Sequence, residues 1–150
     1  MVKLFRSKSW PVVLVRHNSA NPNSPLAPGG AGNELEEYLS GPSDAVIHKS
    51  VNSAFYGTPD LHLWLTRRNF RSLVICGFTT NYCCETTARM AGNLGYKVEF
   101  VIDATSAFPV KLGDREFTGT EVMAMSAANL DGEFAQVLTT SELVENYQNA

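Results

Sequence analysis

The chain has 150 residues, 44% of them hydrophobic and 18% charged. That length and balance suit one globular domain, 1–150, and exclude disorder and low-complexity fibres. Twelve Lys and Arg stand against fifteen Asp and Glu, a net charge of −3; with no basic stripe, no nucleic-acid partner is expected.

Taken in chain order, Met1–Trp10 lacks the apolar stretch of a signal peptide. Pro11–Val15 is apolar and β-branched and predicts a strand that Pro11 opens. Asn18–Gly32 holds three of the seven prolines and three of the eleven glycines and reads as a long irregular loop, either a flexible excursion or a wall of a binding site. A helix is expected over Glu34–Leu39, a strand over Ala45–His48, and a helix over Pro59–Arg68, with Thr58 as N-cap and Pro59 at the first helical position. Leu73–Cys76 predicts a further strand, then Cys83–Leu94 a helix whose Thr87, Ala88, Ala91 and Leu94 form a narrow face of mainly small residues. Gly95 ends that helix and Tyr96 packs back on it. Strands over Val98–Ile102 and Ala135–Leu138 and helices over Thr118–Leu130 and Ser141–Tyr147 complete the pattern. Alternating strands and helices argue for an α/β fold with a mainly parallel sheet, its continuous apolar strands covered on both faces. No apolar run approaches the roughly 18 residues of a membrane span, so no membrane association is expected.

In a parallel sheet, ligands gather at the carboxyl ends of strands. There the chain places His17 after the first strand, Lys49 after the second, Gly77 through Cys83 after the third and Asp103 after the fourth. Cys83 stands where a strand turns into a helix, and the helix dipole there favours the nucleophilic thiolate. A small residue filling a tight turn is the competing reading. Cys76 and Cys84 read as inert core thiols. Three clustered cysteines make no disulfide framework and point to a reducing, cytoplasmic setting. His17 could pair with Cys83 as base or line a pocket, and Lys49 could hold anionic neighbours or be a surface lysine. Asp103 could act as a catalytic carboxylate, though strand-end Asp more often binds loop amides. Phe55, Tyr82 and Phe108 are candidates for the walls of a substrate pocket. The histidines are scattered and no phosphate-binding glycine pattern occurs, so neither a metal nor a nucleotide cofactor is expected.

The segment Leu73-Val74-Ile75-Cys76-Gly77-Phe78-Thr79-Thr80-Asn81-Tyr82-Cys83-Cys84-Glu85-Thr86-Thr87-Ala88-Arg89 resembles the nucleophile motif of the isochorismatase-like cysteine hydrolases. Lys49-Ser50-Val51-Asn52-Ser53-Ala54-Phe55, with Gly57-Thr58 and Leu61, resembles that family's lysine motif. Gly95-Tyr96, Asp103-Ala104 and the stretch from Asn129-Leu130 to Phe134-Ala135 also match, so the resemblance runs from about Pro11 to the C-terminus. It implies a Rossmann-like three-layer α/β/α fold and an Asp–Lys–Cys triad, with Cys83 and Lys49 at the matching positions. It further implies a cis bond at Phe78–Thr79, an oxyanion hole from the N–H groups of Thr79 and Cys83, and a homo-oligomer. The implied reaction is hydrolysis of a small amide-like C–N bond through a Cys83 thioester, with a small-molecule substrate and no cofactor. In the family an Asp-bearing strand comes first; Met1–Ser9 resembles the tail of the helix that follows it, so the fold is expected to be N-terminally truncated relative to the family. On that reading amide hydrolysis is weak, while activated esters still acylate Cys83. The alternative is a catalytically impaired member that serves as a binding or assembly module.

Overall fold

The computed structural model describes residues 1–148, which divide into two compact units, the first running from Met1 to Arg67 and the second beginning at Arg68.

The first unit contains helix α1 (Val2–Ser7), strands β1 (Val13–His17) and β2 (Ala45–Lys49), and helix α2 (Leu61–Arg67). β1 and β2 pair in parallel, from Val13 opposite Ala45 to His17 opposite Lys49. Asp44 fastens their entrance: its backbone N–H donates to the Val12 carbonyl, and its carboxylate accepts from the Val12 N–H at 2.8 Å. Val12, Leu14, Ile47, Phe55, Leu61 and Leu65 are among the buried side chains.

Three expectations for this unit are corrected. The first strand starts at Val13, so Pro11 lies outside it. The helix expected over Glu34–Leu39 is two 3₁₀ turns, Ala31–Asn33 and Glu37–Leu39. Six residues form too few i→i−4 bonds to offset helix nucleation, and the Arg6 guanidinium instead takes the carbonyls of Leu39, Ser40 and Pro42 at 2.9–3.0 Å. Finally, Thr58–Pro59 is a cis bond outside the helix. Asp60, rather than Thr58, supplies the cap, its carboxylate accepting from the Leu63 N–H at 2.8 Å.

The second unit runs β3 (Ser72–Phe78), α3 (Glu85–Asn93), β4 (Lys97–Ser106), β5 (Val110–Leu112), β6 (Arg115–Phe117), α4 (Gly119–Leu130), β7 (Gln136–Leu138) and α5 (Thr140–Gln148). A parallel sheet has the order β3-β4-β7. Its central strand carries the fully buried Phe100 and Val101. β3 is an edge strand of this sheet and buries no residue completely, and Cys76 and Phe78 are exposed on it. The expected cover on both faces of β3, and the core placement of Cys76, are therefore corrected. An apolar run reports affinity for a sheet but not position within it.

Helix α3 buries Ala88 and Ala91 completely, as the small-residue face predicts. Leu94, expected on the same face, is exposed at the C-cap. Gly95 adopts φ +83°; its N–H donates to the Gly92 carbonyl, and the Tyr96 N–H donates to that of Ala91. This is the left-handed termination that a glycine permits. The hairpin β5–β6 was not expected: its strands have three residues each, too short to show alternation, and only Gly113 at φ +59° marks the turn. Thr118 and Glu121 form a reciprocal capping box at the start of α4.

Helix α5 is tied to β4 through Tyr147, whose hydroxyl donates to the Glu99 carboxylate. Burial and that carboxylate push the Tyr147 phenol up to about 12. The protonated phenol is the form the folded state prefers, so its contribution is complete below pH 10 and is lost as pH rises through about 12. Tyr147→Phe is expected to lower unfolding stability by roughly 1–2 kcal/mol near neutrality. Urea titrations at pH 7 and pH 11 check this: the gap between the two proteins narrows at the higher pH.

Candidate functional site

In the first unit, the parallel register sets His17 and Lys49 side by side at the carboxyl ends of β1 and β2. Lys49 is only 5% exposed. Its Nζ lies 2.9 Å from His17 Nδ1 and donates to the Val51 carbonyl at 3.0 Å. An ammonium has only donors, so Nδ1 accepts and the imidazole hydrogen sits on Nε2. Burial, and then the Lys49 charge, lower the His17 pKa below its usual value. His17 is thus neutral at neutral pH, with Nε2–H as a donor.

The loop after β1 is pinned by Asn33, which is 5% exposed. Its amide donates to the carbonyls of His17 (2.6 Å) and Leu26 (3.2 Å) and to Asn18 Oδ1 (3.0 Å). The Asn33 backbone carbonyl accepts from Arg16 Nε at 2.6 Å. Sequence reasoning missed Asn33, because one Asn in a Pro- and Gly-rich stretch gives no sign of being buried. Phe55 is buried, 6.5 Å from the His62 ring between centroids.

In the second unit, β3 runs through Gly77 at φ +131° and a cis bond at Phe78–Thr79. Thr79 is extended, and Thr80–Cys84 forms a single π-helical turn that leads directly into α3. Such turns are frequent at functional sites. The Thr79 carbonyl accepts from the N–H groups of Tyr82 and Cys84 at 3.3 and 3.2 Å. Thr80 is fully buried; its hydroxyl donates to Thr105 Oγ1 at 2.9 Å, which donates onward to the Ile102 carbonyl at 2.8 Å. A register shift in the β3–β4 pairing brings Thr105 opposite Gly77 and makes this chain of bonds possible. On the turn Cys83 is half-buried, Cys84 buried and Tyr82 exposed. The helix expected from Cys83 thus begins at Glu85, with Cys83 in the π turn before it.

Phe108 follows β4 and is exposed. Asp103 Oδ1 accepts from the Thr140 N–H (2.7 Å) and hydroxyl (2.8 Å), the loop-binding role typical of a strand-end Asp. Among the described residues no cluster of three or more His, Cys, Asp or Glu side chains could hold a metal ion. No helix among them is long and apolar enough to cross a membrane.

A family model for the isochorismatase domain matches residues 1–142. The chain belongs to the isochorismatase family. It is 36% identical to isochorismatase family protein YrdC of Bacillus subtilis, over 98% of this chain and 79% of that protein. It is 32% identical to ureidoacrylate amidohydrolase RutB of Variovorax paradoxus, over 83% of this chain but 46% of that protein. A solved isochorismatase-family hydrolase from Chromobacterium violaceum superposes with a TM-score of 0.92 at 35% identity, covering 99% of this chain and 78% of that one. A solved cysteine hydrolase from Pseudomonas syringae superposes with a TM-score of 0.87 at 26% identity, over 99% of this chain and 76% of that one. The isochorismatase fold is thereby established, in the α/β three-layer class with mainly parallel strands.

The Lys49–His17 contact gives a direct electrostatic test. Lys49→Met removes the cation that lowers the His17 pKa, so the imidazole titrates at higher pH in the variant. A histidine-detected NMR titration reads this; an unchanged or lower midpoint contradicts the assignment.

Proposed function

We propose that this isochorismatase-family hydrolase cleaves a small amide-like C–N bond, with Cys83 as nucleophile. The observation that carries the reading is the place of Cys83: half-buried on the π turn that leads into α3, a kind of turn frequent at functional sites. The amidohydrolase name of RutB and the cysteine hydrolase name of the Pseudomonas syringae structure support the reaction class.

In the proposed reaction the Cys83 thiolate attacks the substrate carbonyl carbon. The carbonyl electron pair moves onto oxygen, and the backbone N–H groups of Thr79 and Cys83 hold the oxyanion. As the carbonyl re-forms, the C–N bond breaks and the amine leaves with the proton that the Cys83 thiol gave up on becoming a thiolate. Water then attacks the thioester, releasing the acid and restoring the thiol. The Lys49 ammonium favours the anionic forms along this path. His17, neutral and donating through Nε2, contacts substrate rather than serving as base. Phe55, Tyr82 and Phe108 are assigned to substrate contact; Tyr82 and Phe108 carry exposed rings. No cofactor takes part. The free thiols suit a reducing, cytoplasmic setting.

The test is turnover of p-nitrophenyl acetate and of a panel of small carboxamides. Cys83→Ser is expected to lower kcat/KM by about 10³-fold or more, and Lys49→Met by roughly 10²–10⁴-fold. Full activity in Cys83→Ser would sink the proposal. Absence of both turnover and acylation in the unaltered protein would favour a member that binds small molecules without catalysis.

A further inference from the structure

The π turn is closed by two successive i→i+5 bonds. The Cys84 N–H donates to the Thr79 carbonyl at 3.2 Å, and the Glu85 N–H donates to the Thr80 carbonyl. Such bonding is rare and occurs mainly as single turns, so something beyond the backbone must keep this one from the ordinary i→i+4 pattern. The middle of the turn does not supply it. Asn81 Oδ1 is buried there and accepts no hydrogen bond among the described residues; it is a penalty the turn carries, not an anchor.

The anchors stand at the two ends. At the entrance, the fully buried Thr80 donates through its hydroxyl to Thr105 Oγ1 on β4, 25 residues away. At the exit, Glu85 Oε2 accepts from the Ser126 hydroxyl on α4 at 2.5 Å, across 41 residues, and Ser126 is itself buried. The other carboxylate oxygen, Oε1, accepts from Arg89 Nε at 3.0 Å and Nη2 at 2.8 Å, so the charge is paired while Oε2 serves Ser126. Arg89 in turn lies over the Phe134 ring, 4.7 Å from its centroid. The two residues joined by the closing backbone bond are thus also the two whose side chains tie the turn to different elements.

We propose that Thr80 and Glu85 are positioning residues for the Cys83 chemistry: by fixing both ends of the π turn, they prevent its relaxation to an α-helical turn. The inference rests on Cys83 as the nucleophile of the proposed reaction. Successive residues of an α-helix are turned by about 100°. Relaxation removes the extra residue of the π turn, so the side chains before Glu85 swing round the axis by about that angle. Cys83 then leaves the place from which it reaches the substrate carbonyl, and a misplacement near 1 Å costs about 10²-fold in rate. In this role neither side chain touches substrate; each acts through the turn.

Turnover of p-nitrophenyl acetate by the whole chain, read as kcat and KM separately, tests this together with crystal structures of the variants. Thr80→Val removes the entrance hydroxyl at nearly constant volume. Ser126→Ala removes the donor at the exit and leaves the Glu85–Arg89 pair. Each is expected to lower kcat about 10–100-fold with KM held within about twofold, and in each structure the Glu85 N–H moves to the Asn81 carbonyl. Thr80→Ser, which keeps the hydroxyl, restores kcat. Thr105→Val acts from the partner strand and serves where Thr80→Val does not fold. Thr139→Ala strips a hydroxyl from the cap of α5; it lowers the urea midpoint and leaves kcat unchanged, which separates positioning from general stability. Unchanged kcat in either anchor variant, or an intact Glu85–Thr80 bond in its structure, overturns the role of that anchor. An equal loss of kcat in Thr139→Ala overturns both. Full activity in Cys83→Ser would instead remove the nucleophile reading, an outcome distinct from the fate of the turn in the structures.

Discussion

The second unit depends on one buried hydroxyl. Thr80 has no exposed surface, and its Oγ1 reaches Thr105 Oγ1 on the neighbouring strand, which passes the bond to the Ile102 carbonyl. A buried hydroxyl without a partner is costly, so the turn and β4 must keep the register that joins them. That register includes the shift between Ile75 and Gly77. The π turn follows, and with it the direction in which α3 leaves the sheet and the level at which Cys83 and Tyr82 stand. Asp103, which holds the start of α5 through Thr140, lies on the same irregular stretch of β4.

The first unit solves a different problem, the burial of an ammonium. Among its contacts, Lys49 donates to an imidazole nitrogen and to a carbonyl. The contact selects the His17 tautomer, and burial, then the Lys49 charge, lowers the imidazole's own affinity for a proton. Asn33 holds the loop that begins at His17 by gathering three acceptors onto one amide. A polar site is thereby built on the ends of two short parallel strands, without help from a long helix.

Much of this was legible in the sequence, and the illegible parts share a cause. The parallel strands, the small-residue face at Ala88 and Ala91 and the glycine stop at Gly95 rest on periodicity and local conformational preference, which a sequence displays directly. The runs Leu73–Arg89 and Lys49–Phe55 stood out through their resemblance to motifs of the isochorismatase-like cysteine hydrolases. Cys76 was misplaced because sheet order, not strand composition, decides which strand lies at an edge. The partners of Thr80 and Asn33 stayed hidden because each depends on a contact distant in sequence: 25 residues away for Thr80 and 16 for the His17 carbonyl. The Thr58–Pro59 start was misread because Asp60, two residues on, offered an equally good cap.

The central claim is that chemistry belongs to Cys83 and not to its two neighbours in sequence or sheet. Cys84 is buried; Cys76 is exposed on β3, yet burial around its sulfur pushes that thiol up and works against its reaction, which leaves Cys83, half-buried on the π turn, as the proposed nucleophile. Limited alkylation with iodoacetamide, followed by fragment-ion sequencing that resolves Cys83 from Cys84, separates the two. Cys83 is expected to be modified first. Faster modification of Cys76, or of Cys84, would contradict it.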